Sequence, residues 1–342
     1  MAAAQEFEKV LDKSDKSVVS FDTAHRGFIH RVQHFLHGNP AMVPLIVLVL
    51  SVFVFSGILG TKFFFALPLI LQQVAISAII GAAQTLVILT AGIDLSVGAI
   101  MVLSSVVMGQ FAFRYGVPVP LSILCGFATG ALCGWINGVL IARMKLPPFI
   151  VTLGTWQIVL ATNFLYSSNE TIRSQDIAAQ APLLQLFSGN YIILVMVLLV
   201  ALLWYVLNHT AWGRHVYAIG DDPDAAELSG VQTQRMLIQV YVISGIICAL
   251  AGWVLIGRLG SVSPTSGQFA NIESITAVVI GGISLFGGRG SILGMIFGAL
   301  IVGVFQLGLR LIGTDPQWTY LLIGVLIIAA VAIDQWIRKV SG

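Results

Sequence analysis

Charge is what this sequence has least of: Asp, Glu, Lys and Arg make up 9% of its 342 residues, against about a quarter in an ordinary globular chain. With 57% hydrophobic residues and a mean hydropathy of +0.95, a soluble domain is excluded. The net charge of +2 is too small, and too scattered, for nucleic acid to be a partner. Cysteine is equally sparse. Cys125, Cys133 and Cys248 all fall in apolar stretches, where they act as small hydrophobes, and the first two share one expected helix and cannot bridge. No GxxxxGK[ST] phosphate loop occurs, so the chain is not expected to hydrolyse ATP by itself. All six histidines lie outside the apolar stretches, which removes histidine chemistry from the membrane, and no metal-ligand cluster is legible. The first 40 residues contain no apolar core of the length a cleavable signal needs, which leaves insertion to the first membrane span.

What is present is a succession of long apolar runs. A hydrocarbon core about 30 Å thick takes about 20 apolar residues to cross, and runs of that order occur at 41–60, 66–91, 98–113, 118–140, 147–166, 190–207, 237–257, 272–286, 291–312 and 317–333. The expectation is an all-α, polytopic membrane protein of ten spans. The third and eighth runs are short enough to be broken or re-entrant, which makes the range eight to ten. Residues 1–40 form a tail, 41–336 the membrane domain and 337–342 a second tail. Across Ala24–His37 the spacing of Phe28, Val32, Phe35 and Leu36 predicts an amphipathic helix in the headgroup plane; a metal site at His30, His34 and His37 is the sharper but less favoured reading. With both termini inside, twelve of the 17 Lys and Arg fall on the cytoplasmic side, and Lys62, Arg114, Arg173, Arg258 and Arg310 fall outside. The longest external segment, Ser167–Asn190, is then free to meet a partner outside the membrane.

One polar island interrupts the oily second half, NHTAWGRHVYAIGDDPDAAELSGVQTQRM at 208–236, and it is expected in the cytoplasm. Within it DDPDAAELSG reads as a short helix: Asp222 offers an N-cap oxygen, Pro223 suits the first helical position, Asp224 and Glu227 lie toward the positive end, and Gly230 supplies a left-handed stop. Its apolar side chains (Ala225, Ala226, Leu228) are too few to hold it on its own protein, which leaves two readings, an ordinary solvated loop that happens to be helical, the commoner case, and an element that docks into a partner's groove.

Charges inside the spans are rare enough to weigh singly. Asp94, in TAGIDLSVG, is either a cap for the helix that follows, with Ser96 beside it, or an acid lining a pathway, and the two are compatible. Glu273 sits in an expected first helical turn, where a structural role leads. Uncharged polar residues are numerous in the spans. Gln84, Asn137, Asn163 and the ring of Trp156 would suit a ligand rich in hydroxyls, although hydrogen bonds between helices account for many such residues. GIDLSVG at 92–98 and GISLFGG at 282–288 agree at four of seven positions. A GxxxGAL stretch follows each, at 126–132 and 294–300, a weak internal repeat of the kind that builds midplane pathways.

TAGIDLSVGAI, NGVLIARMKLPPFIVTLGT, GRHVYAIGDDPDAAELSGVQTQR, SGIICALAGW, RLGSVSPTSGQ and ESITAVVIGGISLFGGRGSILG, in this order, resemble the permease subunit of bacterial ABC importers for monosaccharides of the ribose, xylose, galactose and fructose type. The resemblance covers about residues 41–340. It implies a multi-pass inner-membrane pore made with a second permease copy, a cytoplasmic ATP-binding subunit that carries ATP and Mg, and a periplasmic sugar-binding protein; this chain itself binds no cofactor and is not an enzyme. It also implies that the loop around Gly220–Gly230 docks on the ATPase. Where this chain has Asp221 and Asp222 the family commonly has Gly-Asn, a more acidic docking face. Fructose or ribose is favoured as the sugar.

Overall fold

The computed structural model describes residues 41–267 and 269–338. Described as a unit by itself, 40–335 is a helical bundle. Its helices are α1 (Met42–Leu59), α2 (Thr61–Leu89), α3 (Val97–Phe113), α4 (Val119–Ala142), α5 (Pro148–Ser167), α6 (Ser174–Gln180), α7 (Tyr191–His209), α8 (Ala211–Asp221), α9 (Pro223–Leu228), α10 (Thr233–Leu259), α11 (Ala270–Ile280), α12 (Ile292–Ile312) and α13 (Pro316–Arg338). Among the described residues seven are long and apolar enough to cross a membrane: α1, α2, α4, α5, α7, α10 and α12. Shorter apolar helices occupy the other three expected spans. The expected helix at Ala24–His37 lies outside the described residues.

Helix boundaries follow local chemistry. Proline opens α4 and α5 at positions whose N–H would have no helical partner anyway. Left-handed glycines close α10 at Gly260 and α12 at Gly313. The eighth apolar run is not one helix. At 11 residues α11 spans about 16 Å, too little to cross, and the following GGISLFGGRG holds Gly282, Gly287, Gly288 and Gly290 at positive φ, so the chain turns instead of continuing the helix.

Water does not drive helices together inside a membrane, so close packing has to. A close seam joins α4 to α10, where Gly130 and Gly245 lie backbone to backbone; a Cβ on either would overlap the other's carbonyl. Gly294 and Gly298 of α12 stand in the same way against Gly281 and Ala277 of α11. Both GxxxGAL stretches are thus packing surfaces. The segment 168–190 is less free than its sequence implies: Ile172 and Val262 exchange backbone hydrogen bonds of 2.9 and 3.1 Å, Ile177 and Leu184 are fully buried, and Trp253 donates to the Leu183 carbonyl at 3.2 Å. Part of its apolar side is already occupied by its own protein, while Leu183 and Leu186 stay exposed.

Candidate functional site

The site grows out of the break between α2 and α3. Past Leu89 the chain reverses through Ala91, at φ 59°, and runs back alongside the helix it has just left. With the Gln84 amide oriented to suit both groups, its nitrogen donates to the Asp94 carbonyl at 2.8 Å and its oxygen accepts from Asp94 N at 3.3 Å. Farther along, Asn271 Nδ2 donates to the Leu95 carbonyl at 3.4 Å. Helix α3 therefore starts inside the bundle and not at its edge. Its first turn meets that of α11, since a Cβ on Gly98 would lie 3.0 Å from Asn271 N.

Asp94 organises this break. Its Oδ1 accepts from Ser96 N at 2.8 Å and from Ser96 Oγ, a turn that satisfies a donor the start of α3 would leave open. From Ser96 the network runs outward: Asn137 Nδ2 donates to Ser96 Oγ at 3.0 Å, and Thr155 Oγ1 donates to Asn137 Oδ1 at 2.6 Å. Thr152 Oγ1 ties α5 to the Ile93 carbonyl at 3.0 Å. Gln84, Ser96 and Asn137 are fully buried and Asp94 nearly so. These four predicted residues thus come together, as a brace among α2, α3, α4 and α5.

Above the brace lies a cavity of about 270 Å³ lined by Gly98 and Ala99 of α3, Trp156 and Asn163 of α5, Pro264 and Asn271. Trp156 and Asn163 were expected at a binding surface; Gln84, Asp94, Ser96 and Asn137 do not line this cavity but sit behind its wall. Asn163 Nδ2 donates to the Pro264 carbonyl at 3.4 Å. The Oδ1 atoms of Asn163 and Asn271 are buried with no protein partner, and buried acceptors are rarely left so. Asn271 was missed by sequence reasoning, although its place at the start of a short helix just before Glu273 was the available signal. Glu273 falls elsewhere, on a second cavity of about 430 Å³, and accepts from Ser77 Oγ at 2.9 Å.

The polar island is two helices. The first, α8, was not expected, yet Gly213, Val216, Ile219 and Gly220 recur at helical spacing and form its buried face. Gly220 wedges between the two breaks: a Cβ there would overlap the Leu89 carbonyl and lie 2.5 Å from Gly288 N. Tyr217 donates to the Gly290 carbonyl at 3.0 Å, and burial raises its pKa, so it stays a neutral donor. The second, α9, is the expected short helix, with Asp222 Oδ1 accepting from Asp224 N and Ala225 N at 3.0 Å each and Gly230 at φ 86°. Two residues assigned to a docking face point the other way. Gly220 is buried in the seam just described, and Ala226, 4% exposed, packs against its own protein, because α9 needs one apolar contact to hold it in place. Asp221, Asp222, Pro223, Asp224, Ala225, Glu227 and Leu228 remain exposed, Leu228 at 91%.

The sequence comparisons say what a bundle with two internal breaks, a cavity and an exposed acidic helix belongs to. The model of the branched-chain amino acid transport system permease component family matches residues 67–331. The chain belongs to this permease family. The fructose import permease of Rhizobium meliloti is 73% identical over 99% of this chain and 97% of its own length. The ribose import permease of Bacillus subtilis is 38% identical over 78% of this chain and 83% of its own, and the galactose/methyl galactoside import permease of Escherichia coli 34% identical over 78% and 85%. No solved structure matches the chain. As a permease it is a multi-pass inner-membrane protein, and its apolar outer faces, such as Phe53 and Val54 of α1 and Leu198 and Leu202 of α7, are exposed as lipid contact requires.

Proposed function

We propose that this permease is the membrane subunit of an ATP-driven importer of a monosaccharide, fructose first, and that the sugar occupies the cavity between α3, α5 and α11. The observation that carries this is the pairing of one aromatic ring, Trp156, with two unpartnered acceptors, Asn163 Oδ1 and Asn271 Oδ1, in one cavity. A sugar presents hydroxyl donors on its rim and C–H groups on its face, which match those acceptors and that ring. The identity to the fructose permease, 73% over nearly the whole chain, favours a ketohexose over a pentose.

Drive enters at α9. Its exposed acids surround Leu228, an apolar knob with no use in its own protein, and fit a partner groove with basic walls. That partner is the cytoplasmic ATP-binding subunit, which holds the ATP and Mg. Motion of α9 reaches the sugar through Gly220, which touches the ends of both breaks. A second copy of the chain completes the path. The face of α5 bearing Gly154, Gln157 and Thr162 is exposed, and no side chain stands near Gly154; an uncovered glutamine is costly against lipid. A sugar-binding protein delivers from the periplasm, at the end of the bundle opposite α9.

The test is reconstitution of the permease in liposomes, alone and with its ATPase and binding protein, against fructose, ribose, xylose and galactose. Expected is uptake that needs all components and ATP and is fastest with fructose. Accumulation by the permease alone, driven by a proton gradient, would make it a secondary transporter and sink the proposal; so would ATP-independent equilibration, the mark of a channel.

A further inference from the structure

The second cavity, walled by α2, α11, α12 and α13, has no part in the proposal above. Its wall is mostly apolar, but polar groups suited to hydroxyls are set into it: Gln73 donates to Gln306 Oε1 at 2.9 Å, Glu273 accepts from Ser77 Oγ at 2.9 Å, and Arg310 and Thr319 also line it. It shares one lining residue with the Trp156 cavity, Phe269. The first turn of α11 divides the two, with Asn271 lining one side and Ile272 and Glu273 the other.

Phe269 is unlike the other residues at this junction. Its neighbour Ala270 is buried, yet Phe269 is 62% exposed and, among the described residues, pairs with no other ring. It stands at the N-cap of α11, two positions after Gly267, whose φ of +70° permits a change of direction few residues tolerate. An apolar ring at the junction of two cavities, with Asn163 and Asn271 on one side and Gln73, Glu273 and Gln306 on the other, is a barrier to hydrated solutes, because water and sugar hydroxyls lose their hydrogen bonds on passing it.

Resting on the reading that this chain carries a sugar, we propose that the Glu273 cavity is a second sugar station and that Phe269 is the gate between it and the Trp156 cavity. Sugar held by the Gln73–Gln306 pair, Glu273 and Arg310 moves past the ring to Trp156 and Asn163 only when the ring swings aside, and the closed ring stops leakage between strokes.

The experiment uses proteoliposomes holding the permease with its ATPase, loaded with radiolabelled D-fructose and kept without ATP, with Phe269→Ala, Phe269→Leu and Phe269→Trp compared at equal protein level. Passive efflux should rise at least tenfold in Phe269→Ala and less in Phe269→Leu, while Phe269→Trp should stay tight and lose at least fivefold in ATP-driven uptake. In parallel, Glu273→Gln should at least triple the fructose-loaded binding protein needed for half-maximal uptake. Because the ring is largely exposed, the Leu and Trp variants keep the question open to test even if the Ala variant is poorly made. Efflux as slow as wild type in both Ala and Leu variants overturns the gate, whether uptake is kept or lost, and wild-type uptake parameters in Glu273→Gln overturn the station. If the wild-type complex carries no monosaccharide at all, it is the proposed function that fails, and that result is visible before any variant is made.

Discussion

The two breaks in this bundle follow the same seven-residue pattern and make the same turn with different chemistry. Align Gly92–Gly98 with Gly282–Gly288 and Asp94 falls on Ser284. Asp94 Oδ1 accepts from the backbone N–H two residues on, at Ser96, and Ser284 Oγ accepts from the N–H two residues on, at Phe286, at 3.2 Å. The likeness read from four matching letters is thus a likeness of structure. What differs is where the turn leads. After Asp94 the chain enters α3 at once and braces the wall of the Trp156 cavity. After Ser284 three glycines, Gly287, Gly288 and Gly290, lay the backbone against α8 before Ser291 caps α12, accepting from Gly294 N at 3.0 Å. One break lies at the Trp156 cavity, where Gly98 lines the wall, and the other lies against α8. They touch directly, Gly288 N donating to the Leu89 carbonyl at 3.0 Å.

The largest effect is expected where the comparison is physically joined. Gly220→Val places its Cβ where the Leu89 carbonyl already stands, with two methyl groups beyond it, and backbone cannot yield as a flexible side chain does. The seam must open, at about 3 kcal/mol for overpacking. ATP-driven uptake should be lost and the detergent melting temperature should fall. A variant that melts and transports as wild type would show that α8 is not the link between the breaks. Second in size is Asp94→Ala. It strips the acceptor from Ser96 N and Ser96 Oγ in a dry interior, at about 2 kcal/mol, and frees the Asn137–Thr155 chain. Uptake should drop about tenfold as the cavity wall loosens, a rise of about 1.4 kcal/mol in the transport barrier.

The difference between these two sites also shows how far the sequence could be read. Most of the apolar runs, the short cap at Asp222, the stop at Gly230 and the companionship of Asp94 with Ser96 were legible, because each is fixed by neighbours in the chain, whereas the turn inside the eighth run showed only as a short run. Trp156 and Asn163 were legible as residue types unusual in a span. Gly220 and Ala226 were misread as outward-facing, since a ten-letter stretch does not reveal which side of a six-residue helix meets another part of the protein. The role of Gly220 depends on Leu89 and Gly288, far away in sequence, and no local pattern announces them. Likewise the Glu273 cavity is assembled from four helices, and only the acid itself stood out.

Third in expected size is Ser284→Ala, which asks whether the second break relies on its turn as the first does. A neutral hydroxyl acceptor is worth about 1 kcal/mol, and the flanking glycines and the Tyr217–Gly290 bond hold the segment from other directions. The melting temperature should fall by less than half the drop seen for Asp94→Ala, and uptake should stay within threefold of wild type. A loss equal to that of Asp94→Ala would make the two breaks equivalent and remove the asymmetry argued above.

The smallest effect is expected for Asp94→Asn, and it divides the two meanings of a buried acid most sharply. Both side-chain partners of Asp94 come from Ser96, and both are donors to Oδ1. Asparagine keeps an oxygen at that place, and asparagine makes the same turn as readily as aspartate. If the first break differs from the second only in the strength of its turn, Asp94→Asn should keep at least half of the wild-type uptake rate and lose less than about 0.5 kcal/mol, well below the cost of a missing hydrogen bond. A carboxylate is expensive in an apolar interior, so replacing it by a neutral amide is not expected to cost stability. If instead Asp94→Asn melts as wild type but does not transport, the charge itself takes part in the cycle. The two breaks would then be alike in backbone and different in chemistry, and the brace behind the cavity would have to be counted as part of the sugar path.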